Sequence, residues 1–80
     1  MSRDYKQDAV EAKNRGNACL SAKDFDGAID HYSQAIKLDP EDPVFYSNRS
    51  AAYLSKGFHE SALKDAKECI KLKPSWSKGR

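Results

Sequence analysis

Between residues 25 and 38 the apolar side chains fall at Ala28, Ile29, Tyr32, Ala35 and Ile36, while Asp30, Gln34 and Lys37 stand between them. Steps of one, three and four residues bring such positions to one side of a helix, so the stretch predicts an amphipathic helix with a single buried stripe. The same rhythm returns at Ala62, Leu63, Ala66, Cys69 and Ile70, with Lys64, Lys67 and Lys71 facing water. Punctuation frames both stripes. Pro40 sits just past a helix end, Asp42 followed by Pro43 reads as an N-cap with proline at the first helical position, Asp24 reads as another N-cap, and Gly57 suits a left-handed C-cap. Together these signals predict helices from about Asp4 to Ala22, Phe25 to Leu38, Pro43 to Lys56 and His59 to Leu72. Pro74 then marks a stop, Ser75 a cap, and Trp76 the start of a stub. No stretch alternates as a strand would, so the fold class is all-α.

The chain also repeats itself. Residues 9–42 laid over 43–76 give eleven identities without a gap: Val10/Val44, Asn14/Asn48, Arg15/Arg49, Ala18/Ala52, Leu20/Leu54, Ser21/Ser55, Ala28/Ala62, Ile36/Ile70, Lys37/Lys71, Leu38/Leu72 and Pro40/Pro74. A 34-residue helix-turn-helix unit with Ala28, Tyr32 and Pro40 in order resembles the tetratricopeptide repeat. Residues 1–8 then extend the first helix, 9–42 and 43–76 form two full repeats, and 77–80 begin a third, giving a truncated solenoid. In such solenoids the first helix of each pair lines a concave face and the second backs it. The copies differ in detail. Ala12 and Cys19 stand where Tyr46 and Tyr53 do, Ala66 replaces Tyr32, and Phe58 falls one residue earlier than Phe25, so the two turns are expected to differ locally.

Composition narrows the function. Acids and bases nearly cancel to a net charge of +2, which lacks the electrostatic footprint of a nucleic-acid binder. The N-terminus has no apolar core of signal-peptide length, and no segment approaches a bilayer-spanning run, so a cytoplasmic protein without membrane attachment is expected. In that compartment Cys19 and Cys69 are core thiols rather than a disulfide. His31 and His59 fit no metal-ligand spacing, and no metal or cofactor is expected. Cys19 with His31 is the one pair that could suggest a nucleophile and base, but Cys19 occupies a packing position on a different helix. The chain therefore reads as non-catalytic.

One stretch interrupts the packing pattern. YSNRSAAY, from Tyr46 to Tyr53, sets Asn48 and Arg49 among aromatic and small residues. Asn48-Arg49-Ser50 matches a glycosylation acceptor, which a cytoplasmic location removes. A buried polar contact within the helix pair, or a ligand contact in a groove, remain. If the bulky residues face the paired helix, Asn48 turns to the concave side; alternatively Asn14 and Asn48, equivalent in the repeat, satisfy backbone groups between helices. Lys13 and Asn17 lie four apart on one face of the first helix, and Lys78 opens the third unit. Ammonium and amide donors without carboxylates at the same helical positions favour an anion, and a peptide carboxylate accepts charge-assisted bonds from both.

KNRGN, YSNRSAAY and KPSWSKG together resemble the first tetratricopeptide domain of the stress-inducible co-chaperones that organise the seventy- and ninety-kilodalton heat-shock chaperones. The resemblance spans nearly the whole chain from Ala9. It implies a carboxylate clamp formed by Lys13, Asn17, Asn48 and Lys78, gripping the acidic Glu-Glu-Val-Asp C-terminal tail of the seventy-kilodalton chaperone, with the ninety-kilodalton tail as second choice. It implies a further basic clamp position beyond Arg80, and hence an N-terminal fragment of a larger domain. Arg80 stands where the family has an aromatic. The alternative is a structural repeat segment that binds proteins or itself without recognising a carboxylate. Two repeats leave Tyr53, Leu54, Leu63 and Ile70 as an apolar face, through which the isolated chain is expected to self-associate.

Overall fold

A computed structural model describes residues 5–78 of the chain, and the side chains as far as Leu72. Four helices follow in order: α1 (Tyr5–Ser21), α2 (Phe25–Leu38), α3 (Pro43–Lys56) and α4 (His59–Lys78). Among the described residues there is no strand, and the fold is the all-α helix-turn-helix solenoid of tetratricopeptide repeats. No described helix is long and apolar enough to cross a membrane. Each helix packs on the next along the chain, α1 on α2, α2 on α3 and α3 on α4.

The expected caps form. The Asp24 side chain accepts from Gly27 N–H at 3.1 Å, and Asp42 accepts from Val44 N–H at 3.0 Å with Pro43 opening α3. Each cap satisfies a backbone donor that the helix start leaves free. The two intra-repeat turns, expected to differ, share one backbone. Lys23 and Gly57 are equivalent in the repeat and both adopt the left-handed conformation, at φ 65° and 83°. Asp24 N–H then bonds to Cys19 C=O at 2.8 Å, and Phe58 N–H to Tyr53 C=O at 2.9 Å, which is a Schellman closure used twice. The side chains exploit it differently. Phe58 stacks on Tyr53 with ring centroids 6.3 Å apart, supplying the hydrophobic contact that accompanies this closure, whereas Asp24 at the same place caps the next helix.

One boundary departs from the sequence reading. A helix end at Leu72 with a stub from Trp76 is expected, yet α4 continues through Pro74 to Lys78. The first repeat shows what is needed to stop. After Pro40, Asp42 caps a new helix and Pro43 is buried at its first position, whereas the equivalents after Pro74 are Trp76 and Ser77. Proline costs a helix one backbone bond and some crowding, but it does not by itself start another helix. The side chains of Ser75 and Trp76 lie outside the described residues.

The core is built from alanine seams filled by two aromatic rings. Ala9 and Ala12 of α1, Ala35 of α2 and Phe45 of α3 make one cluster, with Ile36 against it. Ala28, Tyr32 and Ala52 make the other, with Cys19, Leu20 and Ile29 around them. The Tyr32 ring lies so close to α1 that a Cβ at Gly16 would stand 2.5 Å from its Cε1. The second repeat solves the same space with different volumes. Ala66 replaces the ring, so Ser50 fits at the Gly16 position and its hydroxyl donates to Ala62 C=O at 2.9 Å.

The repeat also explains the exposed apolar residues. Leu20, Ile29 and Ile36 are covered where α3 packs on the first helix pair. Their equivalents in the second repeat, Leu54, Leu63 and Ile70, are 53%, 56% and 64% exposed. Tyr53, expected to belong to this face, is instead half-buried beside Phe58 and Arg49.

Replacing Gly16 by Ala puts a methyl group into a ring that cannot retreat. Gly16→Ala is expected to destabilise the fold by about 1–3 kcal/mol, the range for overpacking a filled core. Chemical denaturation checks this, and Ser50→Ala, which removes only a hydroxyl, serves as the milder comparison.

Candidate functional site

Arg49 lies between Tyr46 and Tyr53 on α3, three and four residues away along one side of the helix, and its guanidinium stands 5.8 Å from the centroid of each ring. Nε and Nη2 donate to the two carboxylate oxygens of Asp65, both at 2.8 Å, and Nη1 donates to Ser33 Oγ at 2.9 Å. One side chain thus ties α3 to α4 and to α2. Asp65 is only 4% exposed, and a carboxylate so buried requires paired, hydrogen-bonded charge. The bond to Asp65 holds the Arg49 guanidinium above its already high range, against its own burial. The buried polar contact in YSNRSAAY is therefore Arg49. Its equivalents in the first repeat do not copy it: Arg15 is exposed, and at the Asp65 position His31 keeps a buried Nδ1 without a hydrogen-bond partner among the described residues.

Asn48 is a different matter. It is half-buried on α3 and, like exposed Asn14, makes no hydrogen bond among the described residues, so neither satisfies backbone groups between helices. Phe45, three residues before Asn48, packs into the Ala9 and Ala12 seam of α1. Ala9, Lys13 and Asn17 follow one another at four-residue steps on α1, which places them in one row along that helix. Lys13 follows Ala9 on α1 and Asn48 follows Phe45 on α3, each one turn beyond a member of that cluster. Lys13 is half-buried and forms no ion pair among the described residues.

Asn17, the next member of the row, is exposed, and its Oδ1 accepts a hydrogen bond from the Tyr32 hydroxyl at 2.5 Å. Burial, and secondarily the nearby Cys19, push the Tyr32 phenol above its usual range, so it stays a donor at any physiological pH. Lys78 ends α4, and its side chain lies outside the described residues. Cys19 packs beside Tyr32 and Ala52, and no bond joins its thiol to His31 among the described residues.

Two participants escaped the sequence reading. Asp65 had a signal, because it falls three residues after Ala62 and four before Cys69, a carboxylate inside an apolar stripe. Tyr32 was read as a core aromatic, which it is, but nothing in the periodicity showed where its hydroxyl would go.

The repeat geometry defines a class, the tetratricopeptide helix-turn-helix solenoid, and comparison with known proteins gives the family. The chain belongs to the tetratricopeptide-repeat family: the family model described as "Serine/threonine-protein kinase BSK1-like, TPR repeats" matches residues 1–79. It is 54% identical over 71 residues to "Hsp70-Hsp90 organizing protein 3" of Arabidopsis thaliana, covering 89% of this chain and 13% of that protein. Among solved structures it is similar to the "N-terminal domain of stress-induced protein-1 (STI-1)" of C. elegans, with a TM-score of 0.89 and 29% identity over 95% of this chain and 60% of that one. It is also similar to the "First TPR of Spaghetti (RPAP3) bound to HSP90 peptide SRMEEVD", with a TM-score of 0.85 and 32% identity over 91% of this chain and 58% of that one. The chain spans 12–13% of the length of the curated relatives it matches first.

The Arg49 hub is expected to carry stability rather than binding. Arg49→Ala strands the buried Asp65 carboxylate and should cost about 2–4 kcal/mol, toward the lower end of the loss for breaking a buried pair because Arg49 keeps some access to water. Asp65→Asn should cost less, since a neutral amide is less harmed by burial. Urea unfolding of both variants reads the difference.

Proposed function

We propose that the chain is a non-catalytic adaptor module of a cytoplasmic co-chaperone, and that it grips the free C-terminal carboxylate of an acidic chaperone tail. The observation that carries this reading is that Lys13 of α1 and Asn48 of α3 are both half-buried, yet make no ion pair or hydrogen bond among the described residues. Asn17 continues the α1 row, and Lys78 would add a second ammonium from the end of α4. A carboxylate satisfies such a set of donors, because each bond to it is charge-assisted. The names of similar proteins support the choice of ligand: one is called an Hsp70-Hsp90 organizing protein, and another was solved with an HSP90 peptide ending in EEVD. The tail of the seventy-kilodalton chaperone is the first candidate and that of the ninety-kilodalton chaperone the second.

Asn48 is central to the proposed grip, half-buried and without a bond of its own to lose. Asn48→Ala is expected to weaken binding of a Glu-Glu-Val-Asp peptide by about 1.5–3 kcal/mol, the worth of a hydrogen bond to a charged group. Calorimetry with free and C-terminally amidated peptides tests the reading as a whole. Equal affinity for the two would sink it, and the two chaperone tails compared side by side would rank the partners.

A second reading has its own support. The exposed Leu54, Leu63 and Ile70 repeat the positions that α3 covers in the first unit, so a second copy docking on this face would bury them. Leu63→Lys and Ile70→Lys should then shift sedimentation of the 80-residue chain toward monomer. A wild-type chain that is monomeric throughout a wide concentration range excludes self-association.

A further inference from the structure

Asn17 poses a problem that an exposed asparagine on a helix normally leaves unsolved. Its amide has a donor end and an acceptor end of nearly equal size, and turning it over exchanges them. Toward a carboxylate only the NH₂ end is useful; the carbonyl end repels. A free side chain visits both.

We propose that Tyr32 is a positioning residue for peptide binding: its hydroxyl occupies Asn17 Oδ1 and thereby turns the Asn17 NH₂ group toward the ligand. The inference rests on the carboxylate-binding reading above and extends it to a residue that touches no ligand. Three observations carry it. The hydroxyl donates to Oδ1 at 2.5 Å, which leaves both Nδ2 protons free. The ring that carries the hydroxyl cannot move, because it is 0% exposed, packs between Ala28 and Ala52, and presses on α1 at Gly16 so closely that a Cβ there would overlap it. A fixed ring gives a fixed donor.

The third observation comes from the repeat. The equivalents of Gly16, Asn17 and Tyr32 in the second unit are Ser50, Ala51 and Ala66. Amide and hydroxyl are both present in the first repeat and both absent from the second, and so is the glycine that makes room for the ring. The raised phenol pKa agrees with this role, because a donor that never ionises near neutrality never reverses the polarity of its bond.

Tyr32→Phe keeps the ring on Gly16 and removes only the O–H. In the full-length protein, the affinity for a Glu-Glu-Val-Asp peptide with a free C-terminus is to be measured for wild type, Tyr32→Phe, Asn17→Ala and the double variant, with thermal melting alongside. The expected result is a loss of about threefold to tenfold for Tyr32→Phe, the worth of one organising hydrogen bond, and no further loss when Tyr32→Phe is added to Asn17→Ala. A second readout needs no ligand: the Asn17 side-chain amide signals of the wild type should be sharp and distinct by NMR, and broadened or shifted in Tyr32→Phe. Affinity unchanged in Tyr32→Phe, an equal loss in the Asn17→Ala background, or an undisturbed Asn17 amide each overturns the inference. A wild type that binds the amidated peptide as well as the free one removes the carboxylate reading and this inference with it. A retained preference for the free carboxylate with an insensitive Tyr32 removes the inference alone.

Discussion

The close approach of the Tyr32 ring to Gly16 is the contact on which the rest of the first repeat depends. The ring fills the space between α1 and α2, and its outer side makes part of the seat that Ala52 of α3 uses. A larger residue at position 16 would push α1 away, and with it the row that carries Lys13 and Asn17. The hydroxyl at the far end of the same ring bonds to Asn17. One side chain thus joins packing in the core to a hydrogen bond at an exposed asparagine.

Arg49 performs the corresponding task in the second repeat by electrostatics rather than volume. With Ala66 where the first unit has Tyr32, less apolar bulk is available, and the bidentate pair with Asp65 together with the bond to Ser33 holds three helices in register. The guanidinium also stands 5.8 Å from the ring centroids of Tyr46 and Tyr53. Two copies of one repeat therefore reach similar backbones by different chemistry, which is why eleven identities suffice to preserve the fold. The shared left-handed turn at Lys23 and Gly57 shows the same tolerance, since one copy follows it with a cap and the other with an aromatic stack.

Neighbouring residues in YSNRSAAY have different surroundings. Arg49 is consumed by the fold, while Asn48 beside it makes no hydrogen bond among the described residues. Adjacent positions on a helix point about 100° apart, so one can face its own helix pair and the next the seam with another. A sequence motif that holds both conceals this division.

The sequence by itself determined the helices, their caps and their pairing. Periodicity at 3.6 residues, the Asp24, Asp42 and Gly57 punctuation and the internal repeat are local properties, and local physics is written in consecutive residues. Tertiary structure decided the rest. The helix expected to end at Leu72 runs on through Pro74 to Lys78. The Asp65 partner of Arg49 lies sixteen residues away and the Asn17 partner of Tyr32 fifteen. A hydroxyl or a carboxylate at such a distance has no period to betray it, because its partner is chosen by how two helices meet and not by where either residue stands in the chain.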